Sequence, residues 1–273
     1  PLARTVTDAV ILLSAMTGTD PNDVSTLKNT RPVNDYTKFL DAGGLKGKRI
    51  GIEKTLLKHH EGIDKILHTA LTQMEKSGAT VIEVEFLNKA GDVSSAELEM
   101  MEYEFKDGLN RYLASANAKM KNLKDIIDFD NRNANRVMPY FKQEIMDSSE
   151  IKGNLESKGY LDALQKLEAY RTFINDLFEK QQLDALCGPA TGAPWCIDVI
   201  NGDYWTGYGA YGPAAITGHP CITVPMGFVD ELPIGLSFIG KAFNEPGIIS
   251  IAYAYEQLSK NRKPPRFLKT FKS

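Results

Sequence analysis

Five aromatic rings, Trp195, Tyr204, Trp205, Tyr208 and Tyr211, crowd into 17 residues of the glycine-rich stretch 188–212. Rings beside glycines suit a concave site, where apolar walls hold a ligand and a few polar groups orient it. The stretch follows the β-prone run 183–187, and open α/β sheets take ligands at the carboxyl ends of their strands. Thr191, Trp195, Ile197, Asp198 and Tyr208 are therefore the candidate ligand-lining residues. Trp195 and Tyr208 would supply the walls, and Asp198 would orient a polar or cationic end. The alternative is that these rings only cover a core beneath a long loop.

Other constellations carry less. Ser25–Lys28 and Ser149–Lys152 match S-x-x-K, which sets a hydroxyl and an amine one helical turn apart, as base-activated attack requires. Both lie in polar segments read as exposed, where a lysine stays protonated and is a poor base. Residues 207–212 satisfy G-x-G-x-x-G, with Asp230 and Glu231 about 20 residues beyond. That fingerprint must leave a buried strand, and the residues before it, Asn201 to Thr206, are not one. His59, His60 and His68 fall in a charged region and read as surface residues. His219, just before an apolar run, reads as a hydrogen-bonded turn histidine. Cys187, Cys196 and Cys221 form no framework and read as small apolar packing residues. There is no C-x-x-C or H-E-x-x-H, so the sequence gives a metal site no support.

The elements that must position these residues alternate. Thr5 and Asp8 cap a helix carrying Val6, Ala9, Val10, Leu13 and Met16, closed at Gly18. Strands are expected over 49–53, 80–86, 183–187, 221–225 and 234–240. Helices are expected over 62–77, 123–129, 135–145, 160–180 and 247–258. A further one begins at Ser95 with the stripe Leu98, Met101, Phe105, Leu109 and Tyr112. Residues 147–158, rich in charge, read as a solvated connection. The pattern is α/β: a mixed β-sheet covered by helices. A net charge of −3 argues against nucleic acid as a partner, and no apolar run is long enough to span a bilayer.

Several blocks occur in an order that resembles the amidase signature family of serine hydrolases. They are Pro1-Leu2-Ala3-Arg4-Thr5-Val6, Gly44 to Gly51, Ala70-Leu71 through Val81, and Gly218-His219-Pro220-Cys221-Ile222-Thr223-Val224-Pro225-Met226-Gly227 before Leu232 to Gly240. Glu104 to Leu113 and Pro194-Trp195-Cys196-Ile197-Asp198 are similar to the peptide-amidase-like branch. The resemblance implies the C-terminal part of the amidase signature fold, with 1–273 as one portion of a single domain. It implies amide hydrolysis by a Ser, cis-Ser, Lys triad, using no cofactor or metal, on a small acyl or peptide amide. The first block lies just after the family's catalytic region. This chain is therefore expected to begin downstream of the nucleophile, to contribute no catalytic residue and to be inactive alone. An incomplete sheet edge would then favour association, including with a second copy. Two alternatives stand beside it. One is the A-type component of a glutamine-dependent amidotransferase, in which an Asp near the position of Tyr208 faces the glutamine amine. The other is a non-catalytic binding module.

Overall fold

The computed structural model describes residues 1–29, 33–87, 91–206 and 208–267. They fall into two compact units. The first comprises residues 1–88, 173–194 and 205–273, and the second residues 89–172 and 195–204.

The first unit is built on a five-stranded sheet of order β2-β1-β3-β5-β4. Its strands are β1 (Arg49–Glu53), β2 (Thr80–Val84), β3 (Ala185–Pro189), β4 (Cys221–Val229) and β5 (Leu232–Ile239). β1 lies parallel to both β2 and β3, whereas β5 runs antiparallel to β3 and to β4. Parallel neighbours need a crossover, and α2 (Glu61–Lys76) supplies the one between β1 and β2. It buries Ile63, Leu67, Ala70, Leu71 and Met74 on one face and ends before Gly78, whose φ is +90°. Every residue of β3 is buried, as a strand covered on both faces requires. The mixed, helix-covered sheet expected from the sequence is thus present, with β3 two residues later than expected and β4 four residues longer.

α1 (Val6–Met16) starts where its cap predicts, and Thr5 Oγ1 accepts from the Asp8 N–H at 3.1 Å. Val6 N–H also donates to Glu256 in α9 (Glu245–Ser259) at 2.8 Å, tying the two helices together. Between α1, α9 and the edge strand β4 lies a cleft of about 420 Å³, lined by Val6, Val10, Ile222, Val224 and Ile248 among others. Among the described residues, β4 pairs on one side only. Of the three cysteines expected to pack as small apolar residues, only one does. Cys187 is buried in β3, and desolvation pushes its thiol up to about 12, but Cys196 and Cys221 are exposed.

The second unit is helical, with α3 (Gly91–Ser115), α4 (Leu123–Arg132), α5 (Ala134–Val137), α6 (Glu144–Glu150) and the first part of α7 (Lys158–Lys180). Three expectations change here. The single helix over 135–145 is two short ones, because Pro139 has no N–H to give and forces Met138 out of the helical region. The stripe on α3 points the other way: Leu98, Met101, Phe105 and Tyr112 are exposed, while Val93, Ala96, Glu102 and Tyr103 are buried. The inward face packs Val93, Ala96 and Tyr103 and is matched by Lys152, whose Nζ sits 2.6 Å from Glu99 and 2.9 Å from Glu102 and lies 5.5 Å from the Tyr103 ring. Residues 147–158 are therefore anchored rather than solvated. Ser149 is fully buried and donates to the Ile145 carbonyl at 2.7 Å, and Lys106 donates to the Lys152 carbonyl at 2.8 Å. Lys152 is no base, since its bond to Glu99 is the foremost of the interactions that raise its pKa.

Candidate functional site

The carboxyl ends of β1 and β3 carry the candidate site of the first unit. β3 continues past Pro189 as a strap, Ala190-Thr191-Gly192, held on both sides by backbone bonds. Ala190 N–H donates to the Gly235 carbonyl in β5 at 2.8 Å, and Gly192 N–H donates to the Tyr208 carbonyl at 3.0 Å. Ala210 N–H returns a bond to the Pro189 carbonyl at 2.8 Å. Residues 208–210 thus lie along 189–192 like a short added strand. The approach is close: a Cβ on Gly209 would stand 2.4 Å from the Ala190 oxygen, and one on Gly188 would stand 2.8 Å from Ala210 Cβ. Glycine is needed at Gly209 because two backbones meet there, and at Gly188 because the Ala210 and Leu56 side chains fill the space a Cβ would take.

Two of the five candidate residues, Thr191 and Tyr208, meet in this strap. Tyr208 is only 2% exposed. Its ring centroid lies 4.4 Å from that of His59, and its hydroxyl donates to the Leu56 carbonyl at 3.3 Å. Desolvation drives its pKa upward, so the phenol is neutral. Thr191 Oγ1 is buried and, among the described residues, has no hydrogen-bond partner. A buried hydroxyl without a partner is uncommon, which makes Thr191 the polar group of the strap with unused bonding capacity.

Trp195, Ile197 and Asp198 belong to the second unit, in a loop that folds on itself. Asp198 accepts from the Ile200 N–H at 2.8 Å, the Asn201 N–H at 2.9 Å and Asn201 Nδ2 at 2.8 Å. The Asn201 backbone bond leads the interactions that hold its carboxyl below the ordinary value. Trp195 Nε1 donates to Asp203 at 3.1 Å. A depression of about 560 Å³ opens between Trp195, Asp198, Asn201, Asp203 and Tyr204. Ile197 is 92% exposed and stands outside this arrangement of bonds.

Residues weighed for other chemistry find structural duties. His219 is buried, with Nδ1 2.6 Å from Thr217 Oγ1 and Nε2 3.1 Å from Asn175 Oδ1, and it stacks on Phe178. It is the hydrogen-bonded turn histidine that the sequence suggested. His59, His60 and His68 are exposed, and His60 Nδ1 caps α2 by accepting from the Ile63 N–H at 3.3 Å. Gly207, the first glycine of the G-x-G-x-x-G match, lies outside the described residues. One residue escaped the sequence reading. Glu53, at the end of β1, is a fully buried carboxylate. Its only signal in the sequence was an acid closing the run Ile50-Gly51-Ile52.

Fold and strand-end geometry define an α/β protein that gathers polar groups at the carboxyl ends of a largely buried sheet. The chain belongs to the amidase family, whose model matches residues 1–249. A peptide amidase solved with the competitive inhibitor chymostatin is 38% identical, with a TM-score of 0.92 over 97% of this chain and 54% of its own. The native peptide amidase of Stenotrophomonas maltophilia is 37% identical, with a TM-score of 0.86 over 97% of this chain and 54% of its own. Its structural likeness within the family is thus to the peptide-amidase branch. A probable amidase of Arabidopsis thaliana is 34% identical, matching 98% of this chain and 49% of its own length. The A component of the glutamyl-tRNA(Gln) amidotransferase of Geobacillus stearothermophilus is 33% identical over 96% of this chain and 55% of its own. The chain spans about half the length of the curated relatives it matches.

Proposed function

We propose that residues 1–273 are the C-terminal portion of one amidase domain, in a serine-dependent hydrolase that cleaves the C–N bond of a small acyl or peptide amide. The likeness to a peptide amidase, 38% identity and a TM-score of 0.92 over 97% of the chain, carries this reading. In the reaction, a serine oxygen adds to the amide carbon, the amine leaves with a proton, and water hydrolyses the resulting ester. Backbone donors stabilise the oxyanion of each tetrahedral intermediate. In this reading the serine, its bridging serine and the basic lysine lie in the part of the relatives' length that this chain does not match. The chain supplies sheet core and substrate-facing groups instead. Thr191 and Tyr208 are the candidates within the first unit, and Trp195, Ile197 and Asp198 are those within the second, each unit taken by itself.

Tyr208 weighs against a glutamine-dependent amidotransferase. A buried neutral phenol offers the ammonium of glutamine no compensating charge, which an Asp in that place would provide. The test is turnover of peptide amides and small acyl amides, by the 273-residue chain alone and by the whole protein that carries it. Turnover by the whole protein alone supports the reading. Serine-dependent turnover by residues 1–273 alone refutes the assignment of catalysis to the remainder.

A further inference from the structure

We infer that Glu53 is a positioning residue for the strap that carries Thr191, acting through the Leu56 carbonyl and the Tyr208 hydroxyl. The inference rests on the amidase reading of that strap. Glu53 is 0% exposed, and each of its oxygens takes two hydrogen bonds. Oε1 accepts from the Thr55 N–H at 3.1 Å and the Thr55 hydroxyl at 2.9 Å. Oε2 accepts from the Phe86 N–H at 2.5 Å and the Leu87 N–H at 2.9 Å. A carboxylate survives burial only when such donors replace its water, and charge-assisted bonds of this kind are stiff. Capping one turn would need a single oxygen. Glu53 does more, because it bolts the 3₁₀ turn Lys54–Leu56 to the segment leaving β2.

The turn so fixed ends in the Leu56 carbonyl, which accepts from Tyr208 Oη at 3.3 Å. The Tyr208 carbonyl in turn accepts from the Gly192 N–H at 3.0 Å. Three links therefore run from Glu53 to the residue next to Thr191, whose buried hydroxyl has no partner among the described residues. A hydroxyl meant for a ligand must be held to within a fraction of an ångström, and the residues behind it do that holding.

The test uses the whole protein that carries this chain, with Glu53→Gln, Tyr208→Phe and the double variant. Glu53→Gln sets an amide donor against backbone donors; Tyr208→Phe cuts the far link by removing one oxygen. We expect the Gly192 amide to exchange about tenfold faster in each single variant, with the β3 amides of Leu186 and Cys187 changed by less than about twofold. KM for an amide substrate should rise about three- to tenfold with kcat within about twofold, and the double variant should match the larger single one, since both cut one path. Unchanged Gly192 exchange in Glu53→Gln overturns the inference. So does an equal acceleration of the β3 amides, or additive effects in the double variant. Should Glu53→Gln not fold, Thr55→Val removes one bond to the carboxylate at an exposed position and carries the same comparison. A wild-type protein that hydrolyses no amide refutes the amidase reading alone, and Gly192 exchange still decides the role of Glu53.

Discussion

Gly209→Ala is the sharpest local test of how the strap is built. The new Cβ would stand 2.4 Å from the Ala190 carbonyl oxygen and 3.1 Å from Thr191 Cα. Real Cβ atoms do not approach other atoms within 3.0 Å, so at least 0.6 Å of movement must be found between two backbones. Neither backbone is free to give. Ala190 is bonded to Gly235, Ala210 to Pro189, and Gly192 to Tyr208, all at 2.8–3.0 Å. Overpacking of this kind costs about 1–3 kcal/mol, and losing one of the three bonds adds about 1 kcal/mol. A total of about 3 kcal/mol corresponds to a fall in Tm of about 6–12 °C for a chain of this size. Gly212→Ala is the matched control, three residues on at the first position of α8 (Gly212–Thr217), where a Cβ meets nothing within 4 Å. There alanine should be neutral or stabilise by up to about 1 kcal/mol, because it restricts the unfolded chain. Thermal unfolding of both variants, followed by circular dichroism, decides the matter. Equal melting temperatures for Gly209→Ala and Gly212→Ala would refute the proposed packing of 208–210 against 189–192.

Lys152→Ala should lower stability by about 2 kcal/mol in denaturant titrations, because it leaves the buried Glu102 carboxylate without its cation; a change below about 0.5 kcal/mol would show the pair to be idle. Glu256→Gln tests the junction of α1 and α9. Desolvation is the foremost cause of its raised pKa, so its favourable contribution is complete below the ordinary value of 4.5 and is lost as pH rises through the higher folded value. The amide keeps an acceptor for Val6 N–H without the charge. Its Tm should therefore exceed wild type by about 1–3 °C at pH 7 and match it near pH 4, and the reverse order would contradict the sign. Trp195→Ala in the whole protein should raise KM several-fold with Tm within about 2 °C, since its ring belongs to a surface loop; unchanged kcat/KM with a lowered Tm would make it a packing residue only.

The sheet was legible because its strands are short apolar or alternating runs, three of them closing at a glycine or proline (Gly188, Pro225 and Gly240), and because 49–84 reads as strand, helix, strand. The cap at Thr5 and Asp8 was legible because capping is local chemistry. The face of α3 was not. Its visible stripe, Leu98 to Tyr112, is the more apolar, yet Lys152, some fifty residues away in sequence, pairs with Glu99 and Glu102 on the face that is buried. Periodicity ranks residues by hydropathy and cannot see a distant cation. In the candidate site, Tyr208 was chosen as a wall for its ring. Its bond to Leu56 joins the turn after β1 to a segment 152 residues further on, which no local pattern encodes. Glu53 was missed for the same reason: two of its four donors, Phe86 and Leu87, lie more than thirty residues on.

If this chain serves an amide hydrolase, the whole protein must turn a peptide amide or a small acyl amide into a carboxylate and ammonia or an amine, and the two products are measured against each other. The expected result is one ammonia or amine per carboxylate, without added glutamine, abolished by a serine-directed probe, and no release by residues 1–273 alone. Ammonia that appears only from glutamine, or no carboxylate from any amide, would show that the chain serves some other reaction.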